Sequence, residues 1–352
     1  MTAIEANAME RSAREALTWS SKTVAPSLRS AVDTLPASMR RIAGYHFGWW
    51  DERCRPATAA GGPGGPGGKA IRPALVLFAA KSVGGVPVTA VPAAVAVELV
   101  HNFSLLHDDV MDRDITRRHR PTAWSVFGSN AAILAGDALL TLAFDVLVSS
   151  EHSVAGEGIR MLSAAVLDLV NGQSADLAFE RRADVDLPEC VSMTHGKTAA
   201  LLGCTCALGA LFGGGRPEQV GRLRAFGEHL GLAFQHVDDL LGIWGDPVVT
   251  GKPVYSDLRN RKKSLPVVAA LNSSTPAARE LASLYHSDQP LSDADLVHAA
   301  ELIDIAGGRA WSQTQADDLL AGALRQLGLA DPIAQAAAEL GALARLVTHR
   351  DH

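Results

Sequence analysis

The sequence predicts an all-α fold of packed helices. Hydrophobic residues make up 47% of the 352 residues while aromatics are only 5%, with alanine and leucine abundant. Alanine and leucine favour helices, whereas strands favour β-branched and aromatic side chains. Apolar residues recur at helical spacing over long stretches. The connections between these stretches, about 4 to 12 residues each, suit neighbouring antiparallel helices.

Taken in order, residues 1–26 show no strong period and are expected to form a mobile segment. An all-helical domain is expected over 27–352. Its first helix runs over Ser27 to Trp50, interrupted near Pro36. Residues 61–68 alternate glycine and proline and form a connector. Helices follow over Pro73 to Val83, Thr89 to Asp112, Ala131 to Ser149, Glu157 to Arg182, Pro188 to Phe212 and Pro217 to Trp244, with more from Leu265 onward. Ser292 is placed to cap a helix reaching Ile305. The longest apolar run, Thr198 to Gly215, mixes glycine, alanine, threonine and cysteine beside Lys197, which suits a buried core helix better than a membrane span.

The net charge of −6 argues against nucleic acid as a partner. Cys54, Cys190, Cys204 and Cys206 lack Cys-x-x-Cys spacing, which argues against a zinc or redox motif and for free thiols in a reducing compartment. The chain starts without a basic head and apolar core, so the expected location is cytoplasmic.

Function is concentrated in Glu98 to Thr122. An apolar helical run ends in Asp108, Asp109 and Asp112, followed by Arg117 and Arg118. Residues i and i+4 share a helix face, so Asp108 and Asp112 can point at one spot. Crowded carboxylates at the end of an apolar helix are costly without a cation between them, and hard oxygen ligands suit Mg²⁺ shared with phosphates. A solvated acidic helix end is the plainer alternative. A second run ends in Asp238 and Asp239, ahead of a Gly/Pro-rich loop carrying lysines. Before the first lies Gly68-Lys69-Ala70-Ile71-Arg72, where a lysine and an arginine three apart can grip a diphosphate. Glu98 and His101 form a Glu-x-x-His without the second copy that a di-iron site needs.

These features together resemble the trans-isoprenyl diphosphate synthases, the polyprenyl synthetase family, from about Gly67 to about Pro266. The resemblance implies a single large orthogonal helical bundle around a central cavity, of the isoprenoid synthase type. It implies head-to-tail condensation of isopentenyl diphosphate with an allylic diphosphate, using about two to three Mg²⁺ ions. By resemblance Lys69, Arg72, His101 and Arg118 hold the isopentenyl diphosphate. Asp108, Asp109, Asp112, Asp176, Asp238 and Asp239 serve the metal. Arg117, Gln173, Lys197, Thr198, Gln235, Lys252 and Lys262 line the allylic site and assist the leaving diphosphate. The family's usual third aspartate of the second cluster is here Gly242. Phe103 and Ser104, five and four residues before Asp108, are expected to set product length from about 7.5 Å down the helix. This pairing resembles that of geranylgeranyl, twenty-carbon, makers. The family implies a homodimer, and a greasy product leaves a peripheral membrane contact open. Two rivals are a class I terpene cyclase and a non-catalytic regulatory subunit. The intact Asp108 to Asp112 stretch argues against the second, and the Lys69/Arg72 site and Asp238-Asp239 against the first.

Overall fold

The computed structural model describes residues 3–56, 70–247, 254–285 and 289–348, with side chains from residue 13 onward. The expected 61–68 connector lies outside these residues. Among the described residues the regular structure is helical except for one short ribbon, β1 (Thr116–Arg117) paired antiparallel with β2 (Arg120–Pro121), and a lone bridge between Trp50 and Pro56. The helices are α1 (Ala3–Asp33), α2 (Ala37–His46), α3 (Ile71–Ser82), α4 (Val91–Met111), α5 (Ala123–Phe127), α6 (Ser129–Ser149), α7 (Ala155–Phe179), α8 (Leu187–Thr194), α9 (Ala200–Phe212), α10 (Pro217–Trp244), α11 (Ser256–Arg259), α12 (Leu265–Leu271), α13 (Pro276–Tyr285), α14 (Asp293–Ile305), α15 (Gly308–Leu329) and α16 (Ala334–Thr348).

The residues group into two compact units. One comprises Met1–Ser163, Thr205–Leu223 and Leu329–Leu343; the other comprises Ala164–Cys204, Arg224–Gly328 and Ala344–His352. In the first unit α4 is the central element. Residues 93–100 of this helix are buried on every side, several of them alanine, and α4 packs chiefly on α6 and α3. A helix apolar all round belongs in a core. The second unit has its own core, in which Ile243, Leu258, Val267, Leu281, Leu296 and Ile303 meet. A neighbouring cluster joins Phe179, Cys190, Met193, Leu265 and Val268.

Several expectations are met at the level of single residues. Every residue of α9 is buried, as the apolar run required. Ser292 caps α14: its hydroxyl accepts from the Asp295 N–H, and the Asp295 carboxylate accepts from the Ser292 N–H. This reciprocal arrangement satisfies two donors that a helix start otherwise leaves open. The first break falls at Thr34 to Pro36 as anticipated, although α2 ends at His46, short of Trp50. The stretch Pro188 to Phe212 is not one uniform helix. A π-helical turn, His195–Ala199, separates α8 from α9.

The N-terminal segment differs from expectation. Residues 3–33 form one helix rather than a mobile tail up to residue 26. Ala13, Ala16, Ser20, Val24 and Leu28 are buried along one face, and the Trp19 ring sits 5.5 Å from Phe78 of α3. The stripe is hard to see in the sequence because three of these five residues are small; burial comes from the partner helices, not from the stripe's own hydrophobicity. Val24→Asp is therefore expected to cost about 3 kcal/mol or more, by burying an unpaired carboxylate. A urea midpoint equal to the parent's would show that this helix does not dock.

Candidate active site

The first acidic group sits where α4 runs out. Asp112 closes the helix, its N–H donating to the Asp108 carbonyl at 2.8 Å, so Asp108 and Asp112 stand one turn apart. Asp109 turns inward and is 1% exposed. Arg117 Nε donates to its Oδ1 at 2.7 Å, and the same guanidinium stands 3.7 Å from Asp108. The other oxygen, Asp109 Oδ2, is buried without a hydrogen-bond partner. Burial raises the Asp109 carboxyl to about 6 against the pull of Arg117.

The ribbon after α4, which the sequence reading did not anticipate, positions two arginines. Arg118 and His119 form its turn, both with left-handed backbones (φ 51° and 61°) although neither is glycine. Such turns prefer Asn-Gly, so this one carries strain of the kind found at functional sites. Arg118 shares its surroundings with Arg72 at the start of α3 and with His101 and Glu98 on α4. Burial and the positive neighbours Arg72 and Arg118 hold His101 well below its usual range, and hence neutral. Burial brings Arg72 down to about 10 although Glu98 opposes the shift, and its Nε has no hydrogen-bond partner. Glu98 is the buried counter-charge of this basic group and accepts from Asn102 Nδ2 at 3.0 Å. Its Glu-x-x-His spacing with His101 thus serves a basic cluster, not iron.

The second unit gathers the other acidic group. Asp238 is exposed on α10, whereas Asp239 is buried and fully engaged. Its Oδ1 accepts from Gln235 Nε2 at 2.8 Å and its Oδ2 from the Leu265 N–H at 2.9 Å. Gln235 Oε1 in turn accepts from the Thr198 hydroxyl at 2.9 Å. Lys197 Nζ meets Asp176 Oδ2 at 2.5 Å, and Gln173 lies half-buried one turn before Asp176 on α7. Glycines permit this arrangement. A Cβ at Gly172 would stand 2.2 Å from the Lys197 nitrogen, and one at Gly196 would stand 2.7 Å from the Asp168 carbonyl. The π turn can therefore lie against α7 and deliver Lys197 and Thr198 side by side.

Lys262 is the focus of this unit's charge. Burial alone would lower its pKa, but Asp257, Asp239, Asp176 and Asp238 outweigh that and hold it well above the lysine range. Its Nζ is 3.6 Å from Asp239 and 3.7 Å from Asp257. Asp257 is the residue that sequence reasoning missed. A Cβ at Gly242 would lie 2.4 Å from Asp257 Oδ2, so the Asp257 carboxylate fills the space that a side chain at 242 would need. The only sequence signal was the unexplained glycine at 242. Lys69 and Lys252 lie outside the described residues. Phe103 is buried in α4, its ring edge-on to His107 at 4.8 Å, and the Ser104 hydroxyl donates to the His101 carbonyl.

The donor sets fit a hard divalent cation. They offer carboxylate oxygens, and one of these, Asp109 Oδ2, is dehydrated and unpartnered. Among the described residues no three His, Cys, Asp or Glu side chains converge closely enough to hold a metal alone.

The polyprenyl synthetase family model matches residues 64–303. The chain belongs to the polyprenyl synthetase family. It is 46% identical over 98% of its length to a (2E,6E)-farnesyl diphosphate synthase of Mycobacterium tuberculosis, covering 96% of that protein. It is 47% identical over 93% of its length to a geranylgeranyl diphosphate synthase of the same organism, covering 91%. The crystal structure of a polyprenyl synthetase from Streptomyces coelicolor A3(2) superposes with a TM-score of 0.89 at 45% identity, covering 95% of this chain and 98% of that one. The enzyme is therefore a prenyltransferase of the all-α isoprenoid synthase fold. It makes short-chain trans-prenyl diphosphates from isoprenyl diphosphate substrates, with a divalent metal ion.

In chelator, folded synthase keeps a proton on Asp109 between about pH 4 and pH 6 that the unfolded chain has released. Stability contributed by this group is therefore greatest below about pH 4, falls as pH rises through that window and is level above it. Asp109→Asn is expected to remove a slope worth on the order of 1–3 kcal/mol across the window, read as urea midpoints in EDTA.

Proposed function

We propose that this synthase uses Mg²⁺ to condense isopentenyl diphosphate with an allylic diphosphate and releases geranylgeranyl diphosphate. The observation that carries the product length is Phe103, buried five residues before Asp108, with the small Ser104 next to it. A bulky floor at that depth stops a growing chain later than one directly below the aspartates would. Relatives named for fifteen- and twenty-carbon products match almost equally well, so overall identity does not choose between them.

In this reading Asp108, Asp109 and Asp112, with Asp176, Asp238 and Asp239, hold the metal. When bound, Mg²⁺ neutralises the allylic diphosphate and lowers the cost of its departure. Lys197, Lys252, Lys262 and Arg117 donate to the leaving oxygens, supplying preorganised positive charge where negative charge develops. Thr198 and Gln235 keep a polar edge beside Lys197. Asp257 positions Lys262 from the place that Gly242 leaves open. The allylic carbon–oxygen bond breaks and diphosphate departs with the electron pair. The double bond of isopentenyl diphosphate, held by Lys69, Arg72, His101 and Arg118, then attacks the allylic carbon. The proton lost from the new adduct goes to the departed diphosphate. Gln173 borders the site, and apolar walls keep water from the cation.

The deciding assay supplies isopentenyl diphosphate with each allylic starter, with and without Mg²⁺, and reads product length by chromatography. The parent is expected to give twenty-carbon product only with the metal, and Phe103→Ala to give longer product. A fifteen-carbon product from the parent, or an unchanged length in the variant, would remove Phe103 from this role. Hydrocarbon released from geranylgeranyl diphosphate alone would favour a cyclase.

The same reading makes the enzyme a cytoplasmic homodimer with a peripheral membrane contact where its greasy product leaves. The support for a second copy is α6, largely apolar apart from Asp137, Asp145 and its ends, yet only 39% buried in its most apolar stretch, with Leu134 and Val148 exposed. A helix this apolar ordinarily has a partner on every side. Sedimentation equilibrium is expected to give twice the chain mass for the parent and to shift toward the single chain for Leu134→Glu. A parent at single-chain mass would end the proposal.

A further inference from the structure

Among the buried polar atoms of the first unit without hydrogen-bond partners, three belong to residues in or beside its basic cluster: His46 Nε2, Arg72 Nε and Asn102 Oδ1. Each such atom ordinarily costs about 1–3 kcal/mol. Their concentration around one basic cluster therefore needs an explanation. His46 is the last residue of α2 and belongs to none of the motifs picked out from the sequence.

Its placement is firmly built. The end of α2 is tied to the ribbon that carries Arg118. The hydroxyl of Tyr45, next to His46, donates to the Pro121 carbonyl at 2.8 Å. Arg120 donates back to the Tyr45 carbonyl at 3.2 Å and to the Trp50 carbonyl at 3.3 Å, and its guanidinium lies 4.6 Å over the Tyr45 ring. The His46 ring is thereby brought beside Asn102, the neighbour of His101, and within the field of Arg118 and Arg117. Burial and those arginines lower its pKa to about 3, so the ring is neutral. His46 and His101 also sense one another's charge.

We propose that His46 is a further donor to the homoallylic diphosphate, its Nε2–H binding a phosphate oxygen alongside Arg72, His101 and Arg118. The proposal rests on the reading of that cluster as the isopentenyl diphosphate site. The geometry favours a ligand over a merely structural imidazole for two reasons. A buried histidine nitrogen with a purely structural role ordinarily has a hydrogen-bond partner; the half-buried His46 ring has Asn102 beside it, yet its buried Nε2 makes no hydrogen bond. A cluster in which cations keep two imidazoles neutral is poised for an anion, and a neutral ring can offer it an N–H without adding further repulsion between like charges.

The test is calorimetric binding of isopentenyl diphosphate, without an allylic partner, to the full chain. The parent, His46→Phe and His46→Gln are compared, with melting temperature and the KM for the allylic substrate measured beside them. Phenylalanine keeps the bulk and removes the donor; glutamine restores an N–H. The expected result is roughly tenfold weaker binding for His46→Phe, matching one charge-assisted hydrogen bond, and recovery to within about threefold for His46→Gln. Allylic KM and melting temperature should stay at the parent's values. Parent-like affinity in His46→Phe would overturn the proposal. So would equal losses in both variants accompanied by a lower melting temperature. A parent that fails to bind isopentenyl diphosphate at all would instead sink the assignment of the cluster, and His46 with it.

Discussion

Like charges held close together in partly dehydrated surroundings are the constraint on which this structure depends. Four carboxylates, Asp176, Asp238, Asp239 and Asp257, act on the half-buried Lys262 strongly enough to override the partial dehydration of its ammonium. In the other unit Arg117 bridges Asp109 and Asp108, while a separate set of cations has one buried counter-charge, Glu98. Neither arrangement would persist on electrostatics alone, since removing charges from water costs several kcal/mol each. The apolar helices around them hold the charges together. The protein's own lysines and arginines provide partial compensation that substrate and metal can later complete.

Local backbone devices convert that stored charge into geometry. A ribbon whose turn is left-handed at two non-glycine residues brings Arg117 back onto Asp109 and sets Arg118 near Arg72. A π turn, admitted against α7 by Gly172 and Gly196, presents Lys197 to Asp176 and Thr198 to Gln235. The missing side chain at 242 leaves room for the Asp257 carboxylate. Each device is short and costly in isolation, and each lies beside charged residues. Strain of this sort survives only where surrounding packing over-determines it.

Much of this was legible beforehand, for definable reasons. Long apolar-periodic helices such as α4, α6 and α10 announce themselves, and the paired aspartates at the ends of α4 and α10 stand out because charge rarely follows so apolar a run. The Ser292 cap was readable because capping is local. The N-terminal helix was not, because its buried stripe is mostly alanine, serine and valine with a single leucine, and only contact with α3, α4 and α6 gives it value. Glu98 was noticed for its spacing to His101, yet its role as counter-charge depends on Arg72 and Arg118, which approach from other elements.

By itself the sequence determined the helical class, the two acidic clusters and the chemistry that they share, since residue type and spacing along one helix decide those. Tertiary structure alone decided which aspartates face inward, that Lys262 answers to Asp257, and that His46 joins Arg72, His101 and Arg118. The reason is that such pairings span dozens of residues of chain. They are set by where separate helices come to rest, and no local period records that.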